Sequence, residues 1–170
     1  MINLYIDFDG VIKDTISVSY KMMADLGINL KNRNEVIKFY QDIDWNDLLD
    51  NSSELNDAFQ NISKISEGGI FRPAILTTVN SLGEMIAKVN YIRSKNSDIS
   101  IICVPSGVEK CDIVKAKAAI LVDDYSGNLA SWVNSGGIGI KFGYDDDYVS
   151  INSLSFFASH DVAKKLVLAY

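Results

Sequence analysis

Five short runs of consecutive apolar residues punctuate the chain, at Asn3 to Phe8, Ala74 to Thr78, Ile99 to Val104, Ile120 to Val122 and Gly137 to Lys141. A strand with one wet face alternates apolar and polar residues. These runs do not alternate, which is the pattern of strands covered on both faces in a parallel sheet. Helical spacing fills the gaps: Leu82, Met85, Ile86, Val89 and Ile92 recur at three-to-four spacing within Ser81 to Lys95, and Gly127 to Asn134 offers Leu129, Trp132 and Val133. Strands alternating with helices predict an α/β fold, a Rossmann-like parallel sheet of about five strands joined by right-handed crossovers.

One interval breaks the alternation. From Lys13 to Gly69 there is no convincing strand; Ile16, Tyr20, Met23 and Leu26 lie at helical spacing, followed by "EVIKFYQDIDWNDLLD" and "SELNDAFQNISKI". The expected organisation is a core built from residues 1–13 and 68–170, with a small helical cap of three or four helices, 14–67, inserted after the first strand. Gly68 and Gly69 mark the return to the core. The segment from about Asn152 to Ala169 reads as a last amphipathic helix.

Composition removes several function classes. The chain has 170 residues, enough for one domain with a proper core, and 48% of them are hydrophobic. No run approaches the roughly 18 apolar residues that span a bilayer, and the N-terminus has no basic stretch ahead of its apolar one; the expectation is a cytoplasmic protein with no membrane partner. Cys103 and Cys111 are separated by seven residues and the sole histidine, His160, is remote, so a zinc site lacks ligands and histidine-based nucleophile schemes lack a partner. A net charge of −6, with scattered Lys and Arg, argues against long nucleic acid. A small phosphorylated ligand needs only one or two well-placed cations, and a homodimer is left open.

Ligands of open parallel sheets bind beyond the carboxyl ends of the strands. Here the first run ends in Asp7 and Asp9, the second in Thr77 and Thr78, and the fourth in Asp123 and Asp124, while the third leads through Pro105, Ser106 and Gly107 to Lys110. Carboxylates converging at one edge repel one another unless a cation sits among them. Oxygen ligands of this kind favour Mg²⁺. A hydroxyl and an ammonium at the same edge suit the oxygens of a phosphoryl group, one carboxylate can attack phosphorus, and a second can move the proton. Gly10 fits a sharp exit where a side chain would crowd the phosphate. Lys115 and Lys117 compete with Lys110 for the ammonium role.

In this order, "YIDFDGV", "AILTT", the lysine of "GVEKCDIV" and "AILVDDYSGN" resemble the four motifs of the haloacid dehalogenase (HAD) superfamily. The resemblance implies Asp7 as nucleophile and Asp9 as general acid/base, with Thr77, Thr78 and Lys110 on the phosphoryl group. It further implies Mg²⁺ held by Asp7, Asp123 and the Asp9 carbonyl, with Asp124 supporting the metal from behind. An Asp at position 9 favours a phosphatase over a dehalogenase. The helical insertion resembles the cap of the 5'(3')-deoxyribonucleotidases, which implies a nucleoside monophosphate as substrate and Phe39, Tyr40 and Trp45 as base-stacking residues. Val79 and Tyr125 stand where those enzymes usually carry proline and arginine. Other substrates for the same chemistry are a sugar phosphate or a protein phosphoester, and a catalytically silent binding module is the non-enzymatic alternative.

Overall fold

A computed structural model describes residues 1–159. Its sheet has six parallel strands among these residues: β1 (Ile2–Ile6), β2 (Phe71–Val79), β3 (Ser100–Pro105), β4 (Ile120–Asp123), β5 (Ile138–Phe142) and β6 (Val149–Ile151), in the order β3-β2-β1-β4-β5-β6. The expectation of about five strands misses β6. That strand is three residues long, two of them exposed, and it pairs at the sheet's edge through Ile140 to Phe142, so it carries no buried apolar run to announce it.

The continuous apolar runs have the cause the sequence suggests. In β1, Leu4 and Ile6 face one buried cluster while Tyr5 faces the other; in β4, Ile120 and Val122 face the first and Leu121 the second. Each strand is therefore wetted on neither side. Trp132 fills the second cluster, fully buried, edge-on to Tyr5 and donating its indole N–H to the Ala119 carbonyl at 3.2 Å. Pro73 is tolerated inside β2 because β3 joins that strand only from Ala74 onward, so no second neighbour needs its missing N–H.

Helices α1 (Thr15–Asp25), α2 (Arg33–Asp42), α3 (Trp45–Asn51) and α4 (Ala58–Glu67) fill the interval between β1 and β2. Asp14, Asn32 and Asp44 cap the first three with side-chain acceptors. Phe59, Ile62 and Ile65 of α4 lie in the cluster that covers the sheet, and Trp45, Leu48 and Leu49 of α3 join it. The helices over the carboxyl edge are thus seated on the core. Buried Lys13 fastens that seat, donating to the Ser52 carbonyl at 2.7 Å with its ammonium over the Tyr91 ring.

The helix α5 (Leu82–Lys95) forms where expected, capped by Ser81, but it buries only part of its apolar stripe. Leu82 and Ile86 are exposed, whereas Glu84, Ala87, Lys88 and Ile92 face inward. Short α6 (Lys110–Ile113), α7 (Ser126–Asn134) and α8 (Ser155–Ala158) complete the described chain. The rest of the expected C-terminal helix, with His160, lies outside the described residues. No described helix is long and apolar enough to cross a membrane.

Candidate active site

The strand order reverses at β1, which lies between β2 and β4, and this is where an open α/β sheet offers a crevice. Asp7 follows β1 directly and extends its ladder, its N–H bonded to the Val122 carbonyl at 2.9 Å. Asp123 ends β4 beside it. Ligand oxygens of Asp7, Asp123 and Asp124 lie within 4.8 Å of one another.

The two buried acids share Lys110. Its Nζ is 2.8 Å from Asp7 Oδ1 and 2.6 Å from Asp123 Oδ2. Lys115 and Lys117 are exposed, which leaves Lys110 as the ammonium at this edge. Asp123 is fixed further by Asn128 Nδ2 at 2.9 Å and by the Tyr125 N–H at 2.9 Å. The contact from Lys110 to Asp7 lacks hydrogen-bond geometry, so Asp7 Oδ1 is a buried carboxylate oxygen with an ion-pair neighbour but no hydrogen bond.

Burial pushes the Asp7 carboxyl up to about 8, with Asp123 and Asp9 adding to the rise and Lys110 only partly opposing it. Burial likewise raises Asp124 to about 6, with Asp123 and Asp9 contributing. Burial by itself would lower Lys110, but Asp7 and Asp123 outweigh it and hold the ammonium above its ordinary value. Two ammonium groups, Lys110 and, at the Asp124 carbonyl, Lys141, face three carboxylates, which leaves the cluster short of positive charge. An all-oxygen set with an oxygen free of hydrogen bonds fits a hard divalent cation such as Mg²⁺.

Gly10 has φ +71°, a left-handed conformation, and a Cβ there would lie 2.3 Å from Asp124 Oδ2. The glycine makes room for Asp124 rather than for a phosphate, as the sequence suggested.

Asp9 belongs to a second network. Its Oδ1 accepts from Thr15 Oγ1 at 2.7 Å, and its Oδ2 pairs with Lys88 Nζ at 2.5 Å. Lys88 is fully buried and also reaches Glu84 Oε1 at 2.6 Å, the Thr78 carbonyl at 3.0 Å and Thr77 Oγ1 at 3.2 Å. Glu84 is held in turn by the Asn80 N–H at 2.7 Å. Sequence reasoning missed Lys88 and Glu84 altogether. The available signal was an acid and a base four apart on the helix that follows the Thr77 strand, but such pairs are ordinary on solvated helix faces.

Above this network lies a chamber of about 170 Å³ whose walls include Asp9, Thr15, Ser19, Tyr40, Thr78 and Asn80. Of the three aromatic candidates, Tyr40 and Trp45 line it and Phe39 does not. Phe39 is buried elsewhere on α2, in a groove with Met22 and Ile43. Tyr40 and Trp45 stack on each other with ring centroids 6.0 Å apart, the indole N–H donates to the Tyr40 carbonyl, and the Tyr40 hydroxyl is 2.9 Å from Ser19 Oγ. Asn80 also borders an open cleft of about 560 Å³ between α2 and the strand ends, walled by Arg33, Ile37, Gln41, Met85 and Pro105.

No protein-family model matches the sequence. A search among curated proteins finds no match. Solved structures do match. A haloacid dehalogenase-like family hydrolase from Xanthomonas campestris aligns over 100% of this chain and 95% of its own, with TM-score 0.67 and 10% identity. A HAD phosphatase from Thermococcus onnurineus aligns over 98% of both chains, with TM-score 0.60 and 15% identity. CbbY from Rhodobacter sphaeroides, solved in complex with phosphate, covers 96% of this chain and 100% of its own, with TM-score 0.60 and 13% identity. At these identities the likeness establishes the fold: this chain has the Rossmann-like fold of HAD phosphatases and hydrolases.

Proposed function

We propose that the protein is a Mg²⁺-dependent phosphomonoesterase that works through an aspartyl phosphate on Asp7 and acts on nucleoside monophosphates. The observation that carries the reading is the convergence of Asp7, Asp123 and Asp124 on one 4.8 Å cluster with Lys110 between the first two. HAD-fold phosphatases among the structural neighbours support the same chemistry.

Asp7, Asp123 and the Asp9 carbonyl would hold the metal, with Asp124 behind them; bound there, a divalent cation offsets the carboxylates and shares the charge of the phosphoryl group. Asp7 attacks. Its oxygen-to-phosphorus bond forms as the bond from phosphorus to the leaving oxygen breaks, and the electron pair of that bond goes to the leaving oxygen with a proton from Asp9. Asp9 then takes a proton from the water that releases inorganic phosphate. Thr77, Thr78 and Lys110 would donate to the phosphoryl oxygens, whose charge grows during transfer.

For the nucleotide, the support is that Asn80 lines both the small chamber and the larger cleft. A hydroxylated sugar suits the hydroxyl, amide and carboxylate groups in the chamber wall, and a flat base suits a cleft lined by Ile37, Met85 and Pro105 together with Arg33 and Gln41. In this placement the base lies outside the Tyr40 and Trp45 pair, whose faces already meet. A sugar phosphate is the second reading, favoured by the chamber's own size.

Purified protein assayed with nucleoside 5'- and 3'-monophosphates, sugar phosphates and an aryl phosphate, with Mg²⁺ and with EDTA, tests the proposal. Phosphate release is expected to require Mg²⁺ and to fall by at least about 10⁴-fold in Asp7→Asn. Undiminished turnover in that variant, or under EDTA, contradicts the mechanism. Sugar phosphates turned over faster than nucleotides would replace the substrate assignment.

A further inference from the structure

We infer that Lys88 is a positioning residue that aims the Asp9 carboxylate and the Thr77 hydroxyl at the reacting phosphoryl ester. The inference rests on the phosphomonoesterase reading above. Lys88 comes from α5, on the face that a simple apolar pattern would leave in solvent, and its side chain is fully buried.

Its hydrogen bonds decide between aiming and binding. The ammonium has three N–H groups. Four protein acceptors surround it, at 2.5 Å (Asp9 Oδ2), 2.6 Å (Glu84 Oε1), 3.0 Å (Thr78 O) and 3.2 Å (Thr77 Oγ1). Every donor is engaged, so none is free for a substrate oxygen. The Trp45 ring, 4.7 Å from Nζ, closes the remaining side against water.

What the contacts do to each partner follows. Thr77 Oγ1 accepts a hydrogen bond from Lys88, which leaves the hydroxyl's own hydrogen to donate elsewhere; its present acceptor is the Thr78 carbonyl, at a long 3.4 Å. Asp9 is gripped on both oxygens, by Lys88 from the core and by Thr15 from the first turn of α1. A carboxyl held at both ends cannot rotate away from its place in the chamber wall. Glu84 keeps the buried ammonium paired whichever charge Asp9 carries, and the Asn80 N–H fixes Glu84.

The test compares two esters. A nucleoside 5'-monophosphate expels an alkoxide that needs a proton, whereas p-nitrophenyl phosphate expels an oxygen that does not. Lys88→Met is expected to lower kcat about 10²- to 10⁴-fold on the first ester and about tenfold or less on the second, with KM near the wild-type value for both. In an Asp9→Ala background, Lys88→Met should add no more than about tenfold, the share it exerts through Thr77, because the residue through which it acts on the leaving group is already gone. If Lys88→Met does not fold, Glu84→Gln reads the same split between esters at smaller size.

Equal losses on the two esters, a change confined to KM, or multiplicative losses in the double variant each overturn the positioning role. Wild-type protein that hydrolyses neither these esters nor a sugar phosphate overturns the phosphomonoesterase reading and the positioning role with it. Wild-type protein that hydrolyses both, with equal losses in Lys88→Met, overturns the positioning role alone.

Discussion

Two buried lysines organise the site, and each bridges two carboxylates. Lys110 joins Asp7 to Asp123, and Lys88 joins Asp9 to Glu84. The first hub sits at the ends of adjacent strands, with a third acid, Asp124, close by and an Asp7 oxygen left without a hydrogen bond. In the second hub every donor of the lysine is used. One network is short of positive charge and suited to taking up a cation; the other is complete and suited to holding a geometry. A buried ammonium between two acids therefore has no fixed meaning, and the remaining contacts decide which job it has.

The largest expected effect outside Asp7 comes from breaking the first hub. Above about pH 8, where Asp7 is ionised, Lys110→Met leaves a buried carboxylate without its ammonium partner and should cost about 3–5 kcal/mol in metal-free urea unfolding. Unchanged stability would mean that these acids are not electrostatically linked as the distances indicate.

The metal sharpens the contrast next. Asp7 has an ordinary value of 3.8 but is raised to about 8 in the folded, metal-free protein. Between those values the fold retains a proton that the unfolded chain has released. Metal-free stability is therefore expected to fall as pH rises through that window and to level off above about 8. Mg²⁺ requires the ionised acids, so its affinity should rise with pH over the same window. At pH 8, Mg²⁺ at a hundred times its Kd should raise the melting temperature by about 5 to 10 °C. A melting temperature indifferent to Mg²⁺ would contradict a metal site at the first hub.

Gly10→Ala combines a left-handed backbone cost of about 1–2 kcal/mol with displacement of the Asp124 carboxylate. Weaker Mg²⁺ binding, read by isothermal titration, is expected together with the lost stability; intact Mg²⁺ affinity would show that Asp124 is dispensable to the metal. Smallest of all, Lys115→Met should change stability by less than about 0.5 kcal/mol and leave turnover intact, since Lys115 is exposed. A loss of activity there would reopen the choice between Lys110 and its neighbours.

The same comparison explains what could be read from the chain. The first hub was legible because a buried strand that ends on an acid is an anomaly: Asp7 after "LYI" and Asp123 after "ILV" stand out against their own apolar runs. The sheet was legible for a related reason, since strands covered on both faces leave unbroken apolar stretches. Lys88 and Glu84 were hidden because the apolar pattern of α5 points elsewhere. Leu82 and Ile86 belong to the stripe yet lie in solvent, and the burial of Lys88 is tied to a partner 79 residues away, Asp9, which no local period records. Phe39 shows the converse. A phenylalanine beside Tyr40 in sequence lines a different groove from the chamber, because neighbours on a helix point about 100° apart. Strand β6, with two of three residues exposed, left no apolar trace.

The central claim is that Asp7 carries the phosphoryl group during turnover. Wild-type protein mixed with a ³²P-labelled nucleoside monophosphate and Mg²⁺, quenched in acid within one turnover, is expected to retain label that hydroxylamine releases and that peptide mapping assigns to Asp7. Turnover with no labelled protein at any quench time, or with the label on another residue, would contradict it.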